Sequence, residues 1–218
     1  MTHDATDARE ELRRNLLHAA LPHVPFDGWS DKTLLQAAAD LRVSPDTARL
    51  MFPGGGVEMI ALFSRLADEA MAAALADQPL SDLKVRERVI LAVRTRIEAN
   101  AAHREAARRA MTLLALPQNA ATGMKLACDT ADAIWRAVGD TSLDYNYYTK
   151  RLILAGVWSA TVLYWLGDDS EGFADTWGFL ERRVDDVVSL EKAKAKMSKA
   201  GDAARSMTRF MGRLRYGS

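Results

Sequence analysis

The sequence predicts an all-α protein, and three observations carry that expectation. Apolar residues recur at helical spacing along nearly the whole chain, and no run alternates at period two for long enough to make a strand. Breakers gather between these runs, at Pro22, Pro25 and Gly28, at Pro53 to Gly56, and again at Pro79 and Pro117. The composition, 49% hydrophobic and 27% charged over 218 residues, is that of a globular chain able to bury a core.

Taken in order, a first helix is predicted over 7–21, ended by Pro22, Pro25 and Gly28. Ser30 is an N-cap for a helix over 31–41. Ser44-Pro45-Asp46 reads as N-cap, first-turn proline and first-turn acid of a short third helix. Gly54-Gly55-Gly56 reads as a loose break in place of a rigid linkage. A long amphipathic helix follows over 57–76, then one over 82–100, where Val85, Val89, Val93 and Ile97 recur every four residues. Helices over 104–114 and 119–138 are separated by Leu116-Pro117. Beyond a polar loop at 139–146 come helices over 147–166 and 172–190, the second capped by Ser170. A basic helix over 192–215 closes the chain. The expected organisation is a head at 1–56, a larger helical body at 57–190 and an amphipathic tail at 191–218.

Several function classes find no support. The single cysteine, Cys128, excludes a disulfide framework and a thiolate zinc site, and reads as a buried, inert thiol. No GxSxG, Walker or dinucleotide-binding glycine pattern occurs. His3, His18, His23 and His103 are the only histidines, and none completes a Glu-x-x-His pair of a carboxylate di-iron bundle. Asp168–Asp169 and Asp185–Asp186 are sequence neighbours that point to different sides of a helix, so they read as caps or solvated acids. No catalytic residue, metal or cofactor is assigned, and the protein is expected not to be an enzyme. The start, MTHDATDAREELRR, has no apolar core and reads as neither a secretory signal nor a transit peptide. The longest uncharged run, 152–167, is shorter than the roughly 20 residues of a bilayer crossing.

Leu34-Leu35-x-x-Ala38, Val43-Ser44, Ala48 and Phe52 have helix-turn-helix spacing. Such a head on a helical body resembles the TetR repressor family, which implies a regulator sensing a hydrophobic ligand as one reading. Charge argues against DNA as a partner. Between residues 25 and 60, Lys32, Arg42 and Arg49 face five acids (Asp27, Asp31, Asp40, Asp46 and Glu58), a net charge of −2 where phosphate contacts would be needed.

The run 147–166 is apolar all round as a helix: Tyr148, Leu152, Ala155, Ser159 and Leu163 share one face, and Tyr147, Leu154, Trp158 and Trp165 another. Such a helix is central or lines a cavity. Lys150 and Arg151 near its start are costly to bury without an anion. Asp140, Asp144 or the acids after Ser170 could supply one, or a lipid phosphate held in the guanidinium fork could. The candidate lipid-contacting residues are Lys150, Arg151, Leu154, Ala155, Trp158, Val162 and Trp165. The whole chain is balanced, with 29 Lys+Arg and 29 Asp+Glu, yet 192–218 holds eight bases and one acid, +7. Met207, Phe210, Met211 and Leu214 form an apolar stripe there, flanked by Arg209 and Arg213. This is the pattern of a helix lying in a membrane interface, each cation adding about 1 kcal/mol on an anionic leaflet. Packing on the body or on a second copy is the alternative.

The segment Gly139-Asp140-x-Ser142-x-Asp144-Tyr145-Asn146-Tyr147-Tyr148-Thr149-Lys150-Arg151, with Leu154-Ala155-Gly156-Val157, Asp169-Ser170 and Phe173-x-Asp175-Thr176-Trp177-x-Phe179-Leu180, strongly resembles the lipid-binding accessory protein family of coenzyme Q (ubiquinone) biosynthesis. Gly28-Trp29-Ser30 and Leu114-x-Leu116-Pro117-x-Asn119 match it too. The resemblance implies a TetR-like fold that does not act on DNA, and a hydrophobic pocket for isoprenoid quinone intermediates or phospholipid. It also implies hand-over of the demethoxy-ubiquinone intermediate to a separate di-iron hydroxylase, and a C-terminal helix that touches the membrane. Carried over, it places Arg151 at a phospholipid headgroup and Tyr147 and Tyr148, with Asp144 nearby, on the hydroxylase-binding surface. Mitochondrial members carry Trp where this chain has Tyr147. With the absent transit peptide, the resemblance implies a bacterial or otherwise untargeted member, cytoplasmic and peripheral on the inner face of the membrane. A homodimer is expected from the fold analogy alone.

Overall fold

A computed structural model describes residues 2–139, 146–187 and 189. Among them every regular element is helical. The head holds α1 (Thr2–Ala20), α2 (Val24–Asp27), α3 (Asp31–Asp40) and α4 (Pro45–Met51). The body holds α5 (Gly55–Ala76), α6 (Val85–Glu98), α7 (Arg104–Leu114), α8 (Ala120–Ala137) and α9 (Asn146–Gly167), and a further helix over 174–187, α10. The tail lies outside the described residues.

The caps read from the sequence form as hydrogen bonds. Ser30 Oγ accepts from Thr33 N–H and Ser44 Oγ from Thr47 N–H, at 3.2 and 3.1 Å, so each start satisfies an orphan donor. Three differences from expectation bear on how the elements join. Pro25 sits in the first turn of α2, where its fixed φ suits a helix, so this proline starts a short helix as well as following one. The helix expected from 172 begins at 174, because Gly172 and Phe173 hold left-handed φ of 61° and 59°. Ser170 still caps it, accepting from Asp175 N–H at 3.1 Å.

The third difference matters most. Gly54 is the N-cap of α5, and Gly55 and Gly56 are its first residues, so the triple glycine is no loose linker. A Cβ on Gly56 would fall 2.0 Å from the Trp29 carbonyl oxygen. The glycine lets α5 start against the head's backbone. Around this contact the Trp29 indole N–H donates to the Ala106 carbonyl at 3.0 Å, its ring lies 5.4 Å from Phe63, and Arg109 donates to the Pro25 carbonyl at 2.6 Å. One apolar core therefore runs from Leu16 in the head through Phe63 and Ile97 to Val184.

At the far end, Asp168 links α9 to α10. Its buried carboxylate accepts from the backbone and hydroxyl of both Ser170 and Thr176, at 2.5 to 2.8 Å. These hydrogen bonds, Ser170's first, hold its carboxyl far below the ordinary carboxylate range. A depressed folded pKa contributes stability above the unfolded value, near 3.8, that is lost as pH falls through the folded value. Asp168→Ala should therefore lower the melting temperature at pH 7, and the gap to the wild type should close in strong acid. Thermal scans from pH 7 to pH 2 check this; a gap that stays constant would remove Asp168 as the cause.

Candidate functional site

The helices of the body do not fill their centre. Where α5, α6, α7, α8 and α9 meet, Ala107, Ala110, Gly123, Ala127 and Ser159 present little side chain, and a cavity of about 300 Å³ remains. Ile60, Phe63, Met111, Trp158, Val162 and Trp165 complete an apolar wall. The volume is at the lower end of small-molecule sites, about 300–1,000 Å³.

One cation reaches this wall. Arg96 lies on the apolar stripe of α6 and is 2% exposed. Its Nε donates to Asp68 at 2.5 Å and its Nη2 to the Ser64 carbonyl at 3.0 Å, while its guanidinium stands 5.1 Å from the Trp158 ring. Thr130 donates to the other Asp68 oxygen at 3.2 Å. Burial pushes the Asp68 carboxyl up and the Arg96 guanidinium down, and each partner pulls the other back toward its charged form. The remaining Arg96 nitrogen, Nη1, is buried with no acceptor among the described residues, and so is Nε1 of Trp165.

A second cavity, about 590 Å³, opens between the start of α6, the end of α8, α9 and α10. Val89, Trp135, Leu154 and Val184 line it, and Lys84, Arg86, Arg88 and Lys150 border it. Arg88 is committed to the Leu83, Ser81 and Val138 carbonyls, Arg86 to Asp185, and Lys150 stands 5.6 Å from the Trp135 ring.

The residues singled out in the sequence thus separate. Trp158, Val162 and Trp165 line the first cavity; Lys150 and Leu154 line the second. Arg151 and Ala155 are buried, 8% and 3% exposed, and border neither. Arg151 donates to Asp132 on α8, an acid that neighbouring sequence did not suggest. Tyr147 and Tyr148 fall in the first turn of α9, but their side chains, like Asp144, Met207, Arg209, Phe210, Met211, Arg213 and Leu214, lie outside the described residues. Sequence reasoning missed Arg96 and Asp68. Their signal was an arginine on the stripe of Val89, Val93 and Ile97, facing a lone acid on the apolar side of α5. In the head, Lys32 is paired with Asp27 at 2.7 Å and Arg49 with Asp31 at 2.9 Å. Among the described residues, no group of three or more His, Cys, Asp or Glu could hold a metal. No described helix is long and apolar enough to cross a membrane.

A helix-turn-helix-like head fused to a bundle with an apolar hollow defines an all-α protein of TetR-like fold. A solved TetR transcriptional regulator from Nitrosomonas europaea has that fold, with a TM-score of 0.63 at 22% identity over 80% of this chain and 97% of that one. Residues 120–191 match the COQ9 family model. Ubiquinone biosynthesis protein COQ9-B, mitochondrial, of Xenopus laevis is 30% identical over 90% of this chain and 69% of its own length. The mitochondrial COQ9 proteins of Rattus norvegicus and Homo sapiens are 31% and 32% identical over 90% of this chain. The chain belongs to the COQ9 family of ubiquinone biosynthesis proteins. It spans about 65% of the length of the rat relative and 64% of the human one.

Proposed function

We propose that this chain is a non-catalytic lipid carrier of ubiquinone biosynthesis: it binds an isoprenoid quinone intermediate or a phospholipid and presents the demethoxy-ubiquinone intermediate to a di-iron hydroxylase at a membrane surface. The observation that carries the reading is the apolar cavity walled by Trp158, Val162 and Trp165. A prenyl chain is held out of water because each exposed methylene costs about 0.8 kcal/mol, and a protein cavity can replace the bilayer methylene for methylene. Lys150 and Leu154, on the second cavity, extend the lipid path toward the start of α9. Ala155 closes the helix packing beside it. Arg151, whose Nε is engaged by Asp132, fixes that part of α9 on α8.

The three segments divide the work. The head, 1–56, is a packed support whose paired cations leave little for DNA phosphate. The body, 57–190, holds the lipid. The tail, 191–218, docks peripherally on the membrane through Met207, Phe210, Met211 and Leu214, with Arg209 and Arg213 toward the lipid phosphates. Asp144, Tyr147 and Tyr148 form the hydroxylase-facing surface. On the outer side of α9, Leu152 and Leu163 are 62% and 60% exposed and Tyr164 stacks on Phe179 at 4.6 Å, a face that suits a second copy of the chain.

Native mass spectrometry of the purified chain tests carriage and stoichiometry together. A dimer retaining a lipid of quinone or phospholipid mass is expected; a lipid-free protein that takes up none from vesicles would end the carrier reading. Truncation after Leu190 should abolish sedimentation with anionic vesicles while the lipid-bound mass persists. Unchanged sedimentation would remove the tail as the anchor.

A further inference from the structure

The first cavity is not closed. Its wall residues are buried or half-buried except three, Ala115, Ala120 and Met124, and all three sit where α7 hands over to α8. The hollow therefore meets the outside at this turn. The turn has an unusual composition for a surface. In a chain that is 27% charged, the stretch from Thr112 to Met124, TLLALPQNAATGM, holds no acid and no base. Much of it is exposed: Leu116 at 41% and Met124 at 59%, with Pro117, Gln118 and Ala121 on the surface beside them. A charge-free apolar rim around an opening marks a surface that is covered when the protein works.

The polar groups of the turn are spent within it. Asn119 donates its side-chain amide to the Leu113 carbonyl at 2.9 Å and its backbone N–H to the Leu116 carbonyl at 2.8 Å, closing the end of α7. The Thr112 hydroxyl donates to the Arg108 carbonyl at 3.1 Å. A Cβ on Gly123 would lie 3.3 Å from Leu114 Cβ, so the two helices approach closely behind the turn. Backbone that satisfies its own carbonyls leaves water for hydrocarbon at low cost. On either side stand exposed bases, Arg108 and Lys125, each in a surface pair with an acid of its own helix, Glu105 and Asp129. Such pairs are worth little, so a lipid phosphate can compete for either cation.

We infer that the turn between α7 and α8 is the mouth of the cavity and rests on a lipid surface. Leu116, Pro117 and Met124 meet the acyl boundary, with Arg108 and Lys125 level with the phosphates. A lipid then passes between bilayer and cavity without crossing water, where every exposed methylene would oppose the transfer. A protein partner is the other covering, but partners are oriented by polar and charged rims. Here the turn itself supplies no charge, and its exposed polar side chains are Thr112, already bonded, and Gln118. Leu116, Pro117 and Met124 offer too little apolar area to hold the chain on a membrane. The turn orients a mouth that the tail has brought to the surface. This rests on the lipid-carrier reading and adds the surface through which the lipid moves.

Two measurements on the full chain test it, with vesicles of phosphatidylcholine and phosphatidylglycerol in equal parts. In the first, Gln118→Cys on a Cys128→Ala background carries a polarity-sensitive nitrobenzoxadiazole label. On vesicles its emission should brighten, shift to the blue and be quenched by bromine on the acyl chains. The same label at Leu50→Cys, exposed in the head, should stay in water. In the second, a dansylated farnesyl probe is followed from donor to acceptor vesicles. Leu116→Asp/Gln118→Glu, at two exposed positions that do not line the cavity, should slow the transfer roughly tenfold by setting charge against hydrocarbon. Sedimentation with vesicles and calorimetric affinity for the probe in solution should not change. A Gln118 label that stays wet on vesicles that sediment the chain would overturn the mouth and leave carriage intact, as would an unchanged transfer rate. A label shielded by added hydroxylase and not by vesicles would reassign the turn to a protein partner and overturn the lipid surface. A wild-type chain that takes up no probe would overturn the carrier reading and this inference together.

Discussion

Arg96→Met is expected to destabilise the protein by about 3–5 kcal/mol, the cost of leaving one member of a buried ion pair without the other. At about 2–4 °C per kcal/mol for a chain of this size, the melting temperature should fall by roughly 6–20 °C. The cause is Asp68, whose carboxylate would keep, among the described residues, the Thr130 hydroxyl as its hydrogen-bond donor where it now has the guanidinium as well. Burial already raises its pKa and Arg96 counters that, so the substitution should raise it further. A folded pKa above the unfolded one penalises the folded state as pH rises through it, and the penalty vanishes below the unfolded value. The variant should therefore recover stability relative to the wild type as pH is lowered from 7 toward 4. Arg96→Met/Asp68→Leu should regain most of the loss even at pH 7, because replacing both charges by apolar groups is often neutral or better. Calorimetric melting of the two variants and the wild type at both pH values is the check. A single variant as stable as the wild type would show that the pair is solvated in solution.

Gly56→Ala is the second large effect. A methyl 2.0 Å from the Trp29 carbonyl oxygen and 2.7 Å from its carbon cannot be absorbed by a rotamer change, because both atoms are backbone. Either α5 or the Trp29 segment must move, at a cost of about 1–3 kcal/mol or more. The displacement should fall on the joint between head and body, where Trp29 donates to Ala106 and its ring lies tilted against Phe63. Urea unfolding gives the stability loss, and the indole fluorescence of the folded variant reports whether the Trp29 contact has shifted. Gly55→Ala is a poor control, since its φ of 59° strains any side chain. Gly178→Ala, in α10 with only the mobile end of Arg182 nearby, should be tolerated. Equal stability of the Gly56 and Gly178 variants would refute the close-approach argument.

The local elements were readable residue by residue. Ser30 and Ser44 cap where their spacing to Thr33 and Thr47 requires, and Val89, Val93 and Ile97 are buried as their spacing predicts. The resemblance carried by the segment 139–184 led to the family, because that stretch repeats a specific run of side chains rather than a periodicity. The lipid candidates on α9 were chosen from one helix, so they could not be sorted: every face of that helix is apolar, and sequence alone does not say which face meets a void. Trp158, Val162 and Trp165 meet one cavity, Lys150 and Leu154 another, and Arg151 meets Asp132, an acid on a different helix.

Period, caps and composition therefore determined an all-helical chain, its head and body, and its kinship, since each depends on interactions within about four residues or on a matched string of residues. Tertiary structure alone decided that three glycines make a tight joint, that Arg96 is neutralised by Asp68, 28 residues away, and that small side chains on α7, α8 and α9 leave a hollow where five helices meet. Those outcomes depend on how helices distant in sequence approach one another, and a void has no residue of its own to mark it.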